Sequence, residues 1–386
     1  MIKIQTLNKI AAIGTDNFDK SKYVVSDSVE NPDAILVRSA SMHEMQFGSN
    51  LLAIARAGAG VNNIPVDKCT EAGICVFNTP GANANAVKEL VIAGLLLSSR
   101  KVPQAMDWVK TLKGKGDEVP KLVEKGKGDF AGPEIMGKTL GVIGLGAIGV
   151  LVANAAISLG MKVMGYDPFL SLKAAWGLSP AVIYSKTLKE IYENCDYITV
   201  HVPYNGDTKE MLCAEAFASM KSGVRILNFA RGELVNDADM LSALESGKVA
   251  AYVTDFPNDT LIGAKNVVTI PHLGASTPES EDNCAYMAAV QLIDYIENGN
   301  IKNSVNLPDA EMSAYGTKVC IIHKNIPTLI SQITAALGSE KINIENMLNK
   351  SKKEYAYTMI DASGTISEKV IAMLNSIEGV IKVRVI

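Results

Sequence analysis

The sequence of 386 residues lacks the marks of several protein classes. No apolar run approaches the roughly 20 residues that span a bilayer, and residues 1–6 lack the apolar core of a signal peptide. Neither sign of charge dominates, because 37 lysines and arginines oppose 41 aspartates and glutamates, for a net charge of −4. We therefore expect neither a nucleic-acid partner nor a membrane-surface role.

Cysteine and histidine are also scarce. The six cysteines are scattered without a Cys-x-x-Cys pair, which argues against disulfides and against a zinc site. We expect reduced thiols, no bound metal and a cytoplasmic protein. The four histidines leave few candidates for proton transfer, since His43 is expected at the surface and His201 in a packing or ligand-side role.

A glycine-rich hexapeptide at positions 144–149 carries the most information. It follows a strand-like run at 139–143 and opens an apolar helical segment, and Asp167 ends the next strand-like run. A dinucleotide site has this order, because its three glycines permit a tight turn, close approach of a pyrophosphate, and close helix–strand packing. Asp167 can accept hydrogen bonds from both adenine-ribose hydroxyls. The expected phosphate-binding residues are Gly144, Gly146, Ala147, Ile148 and Gly149.

The residues after that aspartate decide between two cofactors. Pro168 and Phe169 follow it, and neither could neutralise a 2′-phosphate. The sequence therefore favours NAD over NADP.

The hydrophobic pattern divides the chain into domains. Strand-like runs alternate with helical stretches in residues 1–95 and again in 139–271, and a long helical segment at 277–297 would return the chain to the first domain. The predicted fold class is α/β, with two doubly wound parallel-sheet domains of the Rossmann or flavodoxin type. We expect a discontinuous substrate-binding domain at 1–95 and 276–305, and an NAD-binding Rossmann domain at 96–275.

Two further segments differ from these domains. Residues 113–130 repeat the sequence Lys-Gly-Lys-Gly in part and predict an exposed loop, although their lysines could meet an anionic ligand. Residues 306–317 are predicted as a linker. Residues 318–386 follow the order strand, helix, strand, strand, helix, strand, which predicts a ferredoxin-like module with one open sheet face.

Candidate catalytic groups follow the strands of the NAD-binding domain. Arg231 comes just after one strand, and its guanidinium can hold a carboxylate through two hydrogen bonds. His272 comes just after another, and an imidazole can exchange the proton of a C2 hydroxyl. Asp255 and Asp259 lie on a segment between them, and a carboxylate there could stabilise the imidazolium.

In these residues, the chain resembles the D-isomer-specific 2-hydroxyacid dehydrogenase family, and the resemblance extends over nearly its whole length. The segments that carry the resemblance are 36–39, 56–63, 78–80, 144–149, 228–232 and 271–277. The resemblance implies a catalytic set of arginine, glutamate and histidine, which Arg231 and His272 match. Asp259 stands where the glutamate is expected, on a segment that is one residue shorter, and Asp255 is then a cofactor ligand.

The resemblance is greatest to family members that oxidise 3-phosphoglycerate to 3-phosphohydroxypyruvate, the first step of serine biosynthesis. It implies a small phosphorylated 2-hydroxy acid as substrate. The substrate-binding residues it implies are Arg38, Ser39, Arg56, Gly58, Ala59, Gly60 and Arg231. The further cofactor contacts expected are His201, Val202, Pro203, Phe229, Ala230, Asp255, His272 and Gly274.

The C-terminal module resembles an ACT domain, a small regulatory unit that binds amino acids. The resemblance implies a serine effector held by His323, Asn325 and Asn343 between paired modules, and hence a homodimer or homotetramer. Thr328 stands where the family often has glycine, and its side chain could crowd the ligand. A purely structural dimer contact is the alternative.

Two other functions stay open at the level of sequence. One is a dehydrogenase for an unphosphorylated acid, such as a hydroxypyruvate or glyoxylate reductase. The other belongs to a different class, a binding protein that senses NAD or an amino acid without turnover. Arg231 and His272 argue against the second alternative.

Overall fold

The computed structural model describes residues 1–313 and 316–386. The chain forms two compact units, the first comprising Met1–Asn83 and Pro278–Ile386 and the second comprising Ala84–Thr277. Within the described residues, no helix is both long enough and apolar enough to cross a bilayer.

Five parallel strands make the first sheet. They are β1 (Ile2–Leu7), β2 (Tyr23–Ser26), β3 (Ala34–Val37), β4 (Ala53–Arg56) and β5 (Cys75–Phe77), in the order β2-β1-β3-β4-β5. The helices α1 (Ala12–Thr15) and α2 (Val66–Glu71) accompany them. All four residues of β3 are buried, as expected of a central parallel strand that is covered on both faces.

Seven parallel strands make the sheet of the second unit. They are β6 (Thr139–Ile143), β7 (Lys162–Tyr166), β8 (Ile183–Tyr184), β9 (Tyr197–Val200), β10 (Val224–Asn228), β11 (Val249–Thr254) and β12 (Val267–Thr269). Their order is β12-β11-β10-β9-β6-β7-β8, so the direction of winding reverses between β6 and β9. Ligands bind beside such a reversal, outside the carboxyl ends of the strands. The predicted α/β class with two parallel sheets is confirmed.

The helices of the second unit connect and cover these strands. They are α3 (Ala84–Ser99), α4 (Val102–Lys110), α5 (Val119–Gly126), α6 (Ala147–Ser158), α7 (Leu172–Gly177), α8 (Leu188–Asn194), α9 (Ala214–Ser219) and α10 (Asp237–Glu245). Helix α3 departs from the predicted domain boundary. Its buried residues Val87, Val91 and Leu95 share a core with Val142 and Val253, so residues 84–95 belong to the second unit and not to the first.

Residues 116–130 are helical, so the prediction of a loop over 113–130 was wrong for this part. It contains two 3-10 turns, Gly116–Glu118 and Lys127–Phe130, on either side of α5. The ring of Trp108 packs against Gly126, and its centroid lies 5.3 Å from that of Phe130. These aromatic contacts hold the helical turns in place, while the lysines remain exposed as expected.

Helix α11 (Pro278–Asn298) belongs to the first unit. Its buried face includes Ala288, Leu292 and Tyr295, which share a core with Ala53 and Ala55 of β4. The helix therefore fixes the first sheet from one side along its 21 residues.

An antiparallel four-stranded sheet follows. Its elements are β13 (Thr317–Lys324), α12 (Leu329–Ser339), β14 (Ile344–Lys352), β15 (Tyr355–Ala362), α13 (Glu368–Asn375) and β16 (Val380–Val385), with strand order β14-β15-β13-β16. This is the predicted ferredoxin-like order. One face of the sheet packs under α12 and α13 through Val319, Ile321 and Ile360.

The opposite face of that sheet is covered, so the predicted open face was wrong. Cys320, Ile322, Tyr357 and Met359 alternate with the residues beneath the helices and join the core around Tyr295. Because β13 and β15 are apolar on both faces, each face needs a partner, and the first unit supplies the second one. The antiparallel module is thus packed as part of the first unit.

The predicted linker at 306–317 is also packed, except that residues 314 and 315 lie outside the described part of the chain. Asn306 is buried and forms a hydrogen-bond network with the first sheet. Its Oδ1 accepts the Val76 N–H at 2.9 Å, and its Nδ2 donates to Thr70 Oγ1 at 3.0 Å and to the Ile74 carbonyl at 2.9 Å. The composition of this segment resembles a linker, but these long-range bonds make it part of the fold.

Candidate active site

The glycine turn after β6 has the geometry of a phosphate-binding loop. Gly144 adopts φ +92°, and a Cβ there would lie 2.7 Å from the His201 carbonyl oxygen. A Cβ on Gly149 would collide with the carbonyl oxygen of Gly144, whereas one on Gly146 would meet nothing within 4 Å. Helix α6 begins at Ala147, with Ile148 in its first turn. The turn is tight, the helix packs closely, and the backbone at the middle glycine is open to a ligand.

Asp167 at the end of β7 is held beside this turn. Its Oδ2 accepts the Leu145 N–H and its Oδ1 accepts the Phe169 N–H, both at 2.8 Å. Each carboxylate oxygen has two lone pairs, so acceptor capacity remains on both oxygens for ribose hydroxyls. The open backbone at Gly146 and this fixed carboxylate fit a dinucleotide.

The segment 201–203 follows β9 and adjoins the same turn. Thr199 Oγ1 lies 3.0 Å from His201 Nε2, while the buried His201 Nδ1 has no hydrogen-bond partner within the described residues. Burial lowers the pKa of His201 to about 4, so the ring is neutral at pH 7. Val202 Cγ1 would lie 3.0 Å from a Cβ on Gly144, and Pro203 continues the segment. A neutral, buried ring fits a packing or cofactor-side position better than proton exchange.

A buried asparagine at the end of β10 shapes the loop that carries Arg231. Asn228 Oδ1 accepts the Ala230 N–H at 3.1 Å, and its Nδ2 donates to the Arg231 carbonyl at 2.8 Å. Phe229 points into the core, where a Cβ on Gly94 would lie 2.7 Å from its ring. Arg231 itself is exposed, and its Nη1 donates to the Ala230 carbonyl at 2.6 Å.

Asp255, directly after β11, is the carboxylate that lies near the other charged groups. It is only 1% exposed, and its Oδ1 has no hydrogen-bond partner within the described residues. Burial raises the pKa of Asp255, while the charge of His272, the charge of Arg231 and the Gly274 N–H act to lower it. The second unit therefore brings Arg231, Asp255 and His272 together.

His272 is exposed and rests on an aromatic ring. Its ring centroid lies 4.9 Å from that of Phe256, and a Cβ on Gly232 would lie 3.4 Å from the Phe256 Cβ. A Cβ on Gly274 would lie 3.6 Å from Asp255 Oδ2, so the backbone after His272 passes close to that carboxylate. Phe256 therefore packs between the loops that carry Arg231 and His272, a role that the sequence analysis missed.

Asp259, the carboxylate predicted at the glutamate position, follows Asp255 by four residues on the same segment. It is exposed, and its carboxylate accepts no hydrogen bond within the described residues. The preceding Asn258 directs the chain into a turn, because its Oδ1 accepts the Leu261 N–H at 3.0 Å and its Nδ2 donates to Asp237 at 2.6 Å. Asp255 is the buried carboxylate whose pKa responds to the charge of His272, and a catalytic role of Asp259 stays a prediction.

In the first unit, an asparagine holds the loop that follows β3. Asn8, at φ +71°, accepts the N–H groups of Ser39 at 3.0 Å and Ala40 at 2.7 Å. Arg38 precedes these residues, and its Nη2 lies 2.6 Å from Glu281 Oε1. Ser39 is exposed beside it. Arg38 and Ser39 are predicted from the sequence, whereas Asn8 and Glu281 are seen only in the structure.

Arg56 ends β4 and lies against the glycine loop that follows. Its Nε donates to the Arg38 carbonyl at 3.0 Å, and a Cβ on Gly58 (φ +156°) would lie 2.6 Å from its Nη1. A Cβ on Gly60 would lie 3.6 Å from the same Nη1 atom of Arg56. The Ala59 carbonyl accepts the Asn78 Nδ2 at 2.6 Å. The first unit therefore places both predicted arginines and the glycine loop at one edge of its sheet.

The three predicted effector residues do not converge within one chain. His323 is 2% exposed, with Nε2 2.8 Å from Thr358 Oγ1 and Nδ1 2.7 Å from the Lys324 carbonyl, and burial lowers its pKa. Asn325 donates to the Lys353 carbonyl at 3.3 Å, near the same end of the sheet. Asn343 precedes β14 at the opposite end, where it donates to Glu345 at 2.8 Å.

Thr328, which stands where the ACT family often has glycine, lies at the start of α12. Thr328 adopts φ +68°, a left-handed conformation that glycine adopts without strain and that costs other residues energy. Its hydroxyl is engaged with the Pro327 carbonyl at 2.6 Å.

Comparison with known proteins agrees with this geometry. The family described as D-isomer specific 2-hydroxyacid dehydrogenase, NAD binding domain, matches residues 92–274. The D-3-phosphoglycerate dehydrogenase of Bacillus subtilis is 33% identical over 93% of this chain and 68% of its own length. The enzyme of that name from Archaeoglobus fulgidus is 38% identical over 73% of this chain and 53% of its own length. The chain thus spans about half the length of several curated relatives that it matches, including that of Rattus norvegicus.

Solved structures show the same fold. An NAD⁺-bound 3-phosphoglycerate dehydrogenase from Entamoeba histolytica superposes with a TM-score of 0.61 at 26% identity, covering 79% of this chain and 98% of that one. A D-mandelate dehydrogenase from Rhodotorula graminis superposes with a TM-score of 0.67 at 22% identity, covering 81% and 99%. NAD is the cofactor that these comparisons and the turn at 144–149 support. The chain belongs to the D-isomer-specific 2-hydroxyacid dehydrogenase family.

Proposed function

We propose that this chain is an NAD-dependent dehydrogenase that oxidises 3-phosphoglycerate to 3-phosphohydroxypyruvate, the first step of serine biosynthesis. The observation that carries the proposal is the cluster of Arg231, Asp255 and His272 beside the dinucleotide-binding sheet. The relatives named D-3-phosphoglycerate dehydrogenase support the choice of substrate.

The chain's own residues divide the chemistry. Arg231 binds the substrate carboxylate and polarises the neighbouring carbon–oxygen bond. His272 takes the proton of the C2 hydroxyl as general base. When bound, NAD supplies the acceptor for the hydride that leaves C2. Asp255 stabilises the imidazolium that forms, because its carboxylate lies near His272 in a buried position.

We assign Arg38 and Arg56 to the remaining negative charge of the substrate. Both follow strands of the first sheet, and the hydrogen bond from Arg56 Nε to the Arg38 carbonyl keeps their backbones together. The N–H groups of Gly58, Ala59 and Gly60 complete the proposed anion site, with Ser39 beside it.

The C-terminal module is proposed as a regulatory ACT-type domain in a cytoplasmic homo-oligomer. Its strand order and the buried His323 support this assignment. Because Asn343 lies at the other end of the sheet from His323, a serine effector would need these residues from two copies. Strand β14 is an exposed edge of the sheet and offers unpaired backbone groups to a second module.

The decisive assay is NADH formation from 3-phosphoglycerate, with and without added serine. The proposal expects turnover that depends on the phosphate, and inhibition by serine tests the regulatory part separately. A second candidate is the dehydrogenase for unphosphorylated acids, which the pairing of Arg38 with Glu281 favours because it neutralises part of the cationic charge. Equal kcat/KM for D-glycerate and 3-phosphoglycerate would support that candidate instead.

A further inference from the structure

We propose that Glu281 is a positioning residue that sets the preference of the anion site for substrates of different charge, acting through Arg38. This inference rests on the proposed function, since it assigns Arg38 to the substrate. Glu281 lies outside the sequence segments from which the function was predicted.

The contact is a close ion pair between groups far apart in sequence. Arg38 Nη2 donates to Glu281 Oε1 at 2.6 Å, a charge-assisted hydrogen bond. The side chains are 40% and 43% exposed, so neither is committed to the core and both remain accessible to a ligand. The Arg38 guanidinium carries five donors, and donors beyond the one used for Glu281 are available for an anion.

The position of Glu281 is fixed by the helix that carries it. It lies in the first turn of α11, where a carboxylate is favoured by the helix dipole. The next turn packs tightly, because a Cβ on Gly14 would lie 2.6 Å from the Ala285 carbonyl oxygen. At the other end, Arg384 donates to the Tyr295 carbonyl at 3.2 Å and to the Ile296 carbonyl at 2.9 Å. A carboxylate on this anchored helix holds Arg38 in one place.

The same carboxylate also repels the ligand that Arg38 attracts. A phosphorylated hydroxy acid carries a carboxylate and a phosphate of nearly two negative charges at pH 8, whereas its unphosphorylated counterpart carries one charge. Repulsion by Glu281 grows with ligand charge, so it weakens binding of the phosphorylated acid more than binding of the unphosphorylated one. Glu281 thus sets a balance between orientation of Arg38 and affinity for phosphate.

The test compares Glu281→Gln with Glu279→Gln in the full chain. Glutamine still accepts the Arg38 hydrogen bond but removes the charge. Glu279 lies in the same first turn, is exposed, and forms no ion pair or side-chain hydrogen bond within the described residues, so it is a matched control. For 3-phosphoglycerate, we expect Glu281→Gln to lower KM about three- to tenfold with kcat changed less than about twofold. The KM for D-glycerate is expected to change less than about twofold.

Two further readouts separate charge from structure. The gain in Glu281→Gln should shrink at high ionic strength, because salt screens an exposed charge. Glu281→Ala, which loses the hydrogen bond as well, should have a higher KM than Glu281→Gln. Equal shifts for both substrates, or equal effects of Glu279→Gln and Glu281→Gln, would overturn the inference.

Calorimetric titration with 3-phosphoglycerate distinguishes failure of the inference about Glu281 from failure of the proposed function. If wild-type protein forms no NADH from 3-phosphoglycerate, the proposed function fails, and the titration still tests the anion site. Tighter binding to Glu281→Gln than to wild type supports the inference, and equal or weaker binding overturns it.

Discussion

Burial raises the pKa of Asp255, and the neighbouring charge of His272 opposes that shift. Burial therefore disfavours the charged form of the Asp255 carboxyl. The same carboxylate is well placed to stabilise a positive imidazole on His272. Perturbed acids of this kind cluster at functional sites. This relationship supports Asp255 as the acid that acts on His272, whereas Asp259 stays a prediction from the sequence.

Replacement of Asp255 by asparagine should therefore impair turnover. We expect Asp255→Asn to lower kcat for 3-phosphoglycerate oxidation by about tenfold or more, because the imidazolium that forms on His272 loses its counter-charge. Asp259→Asn is the matched control, and its kcat should stay within about twofold of wild type since the side chain is exposed. Steady-state kinetics of both variants settle the question, and a larger loss in Asp259→Asn would favour Asp259 as the acid.

Asp255→Asn should also be more stable to unfolding than wild type at pH 8. An acid whose pKa is raised by folding stabilises the fold below its ordinary pKa of 3.8, and this contribution is lost as the pH rises through the higher, folded value. Asparagine is uncharged throughout, so Asp255→Asn should unfold at a higher temperature at pH 8, and this advantage should vanish near pH 3.8. Thermal unfolding without cofactor at both pH values measures it. A lower Tm for Asp255→Asn at pH 8 would contradict the argument.

Asn228 should matter for both stability and substrate affinity. Its buried amide ties the Ala230 N–H to the Arg231 carbonyl, so Asn228→Ala leaves polar backbone groups unsatisfied at a cost of about 1–3 kcal/mol. Loss of the loop geometry should also raise KM, because Arg231 is no longer held in place. Asn194→Ala, which removes an exposed hydrogen bond to Glu190, serves as the control. Unchanged urea unfolding and unchanged KM in Asn228→Ala would show that the loop holds its shape without this side chain.

Arg384 should stabilise the packing of the C-terminal module. Its guanidinium binds two carbonyls at the end of α11 and stacks 4.5 Å from the centroid of the Tyr295 ring. We expect Arg384→Ala to lower the free energy of unfolding by about 2–3 kcal/mol, measured by urea titration. The exposed Arg100 offers a control, since Arg100→Ala should have little effect. An unchanged urea midpoint in Arg384→Ala would mean that apolar contacts alone hold the module.

Local patterns in the sequence predicted much of the fold. The apolar runs at 139–143 and 34–37 became buried parallel strands because such strands are covered on both faces. The glycines at 144–149 fixed the position of the dinucleotide turn, since few other sequences satisfy a left-handed residue and a close helix–strand contact together. Both signals lie within a few consecutive residues.

The features that the sequence did not predict depend on residues far apart in the chain. Glu281 meets Arg38 only because α11 returns to the first sheet, and Asn306 binds β5 across a similar separation. The sequence of β13 has apolar residues on both faces of the strand, but it does not show which part of the chain covers the second face. Asp259 lies in a turn that the side chain of Asn258 closes, and the spacing of residues alone could not indicate that turn.

We propose that His272 exchanges the C2 hydroxyl proton in a reaction that reduces NAD. The most direct measurement is the initial rate of NADH formation from 3-phosphoglycerate, followed by absorbance, in wild type and in His272→Ala at equal NAD saturation. Wild type should form NADH, and His272→Ala should have a kcat lower by about a hundredfold or more, because the general base is lost. Equal rates in the two proteins would contradict it.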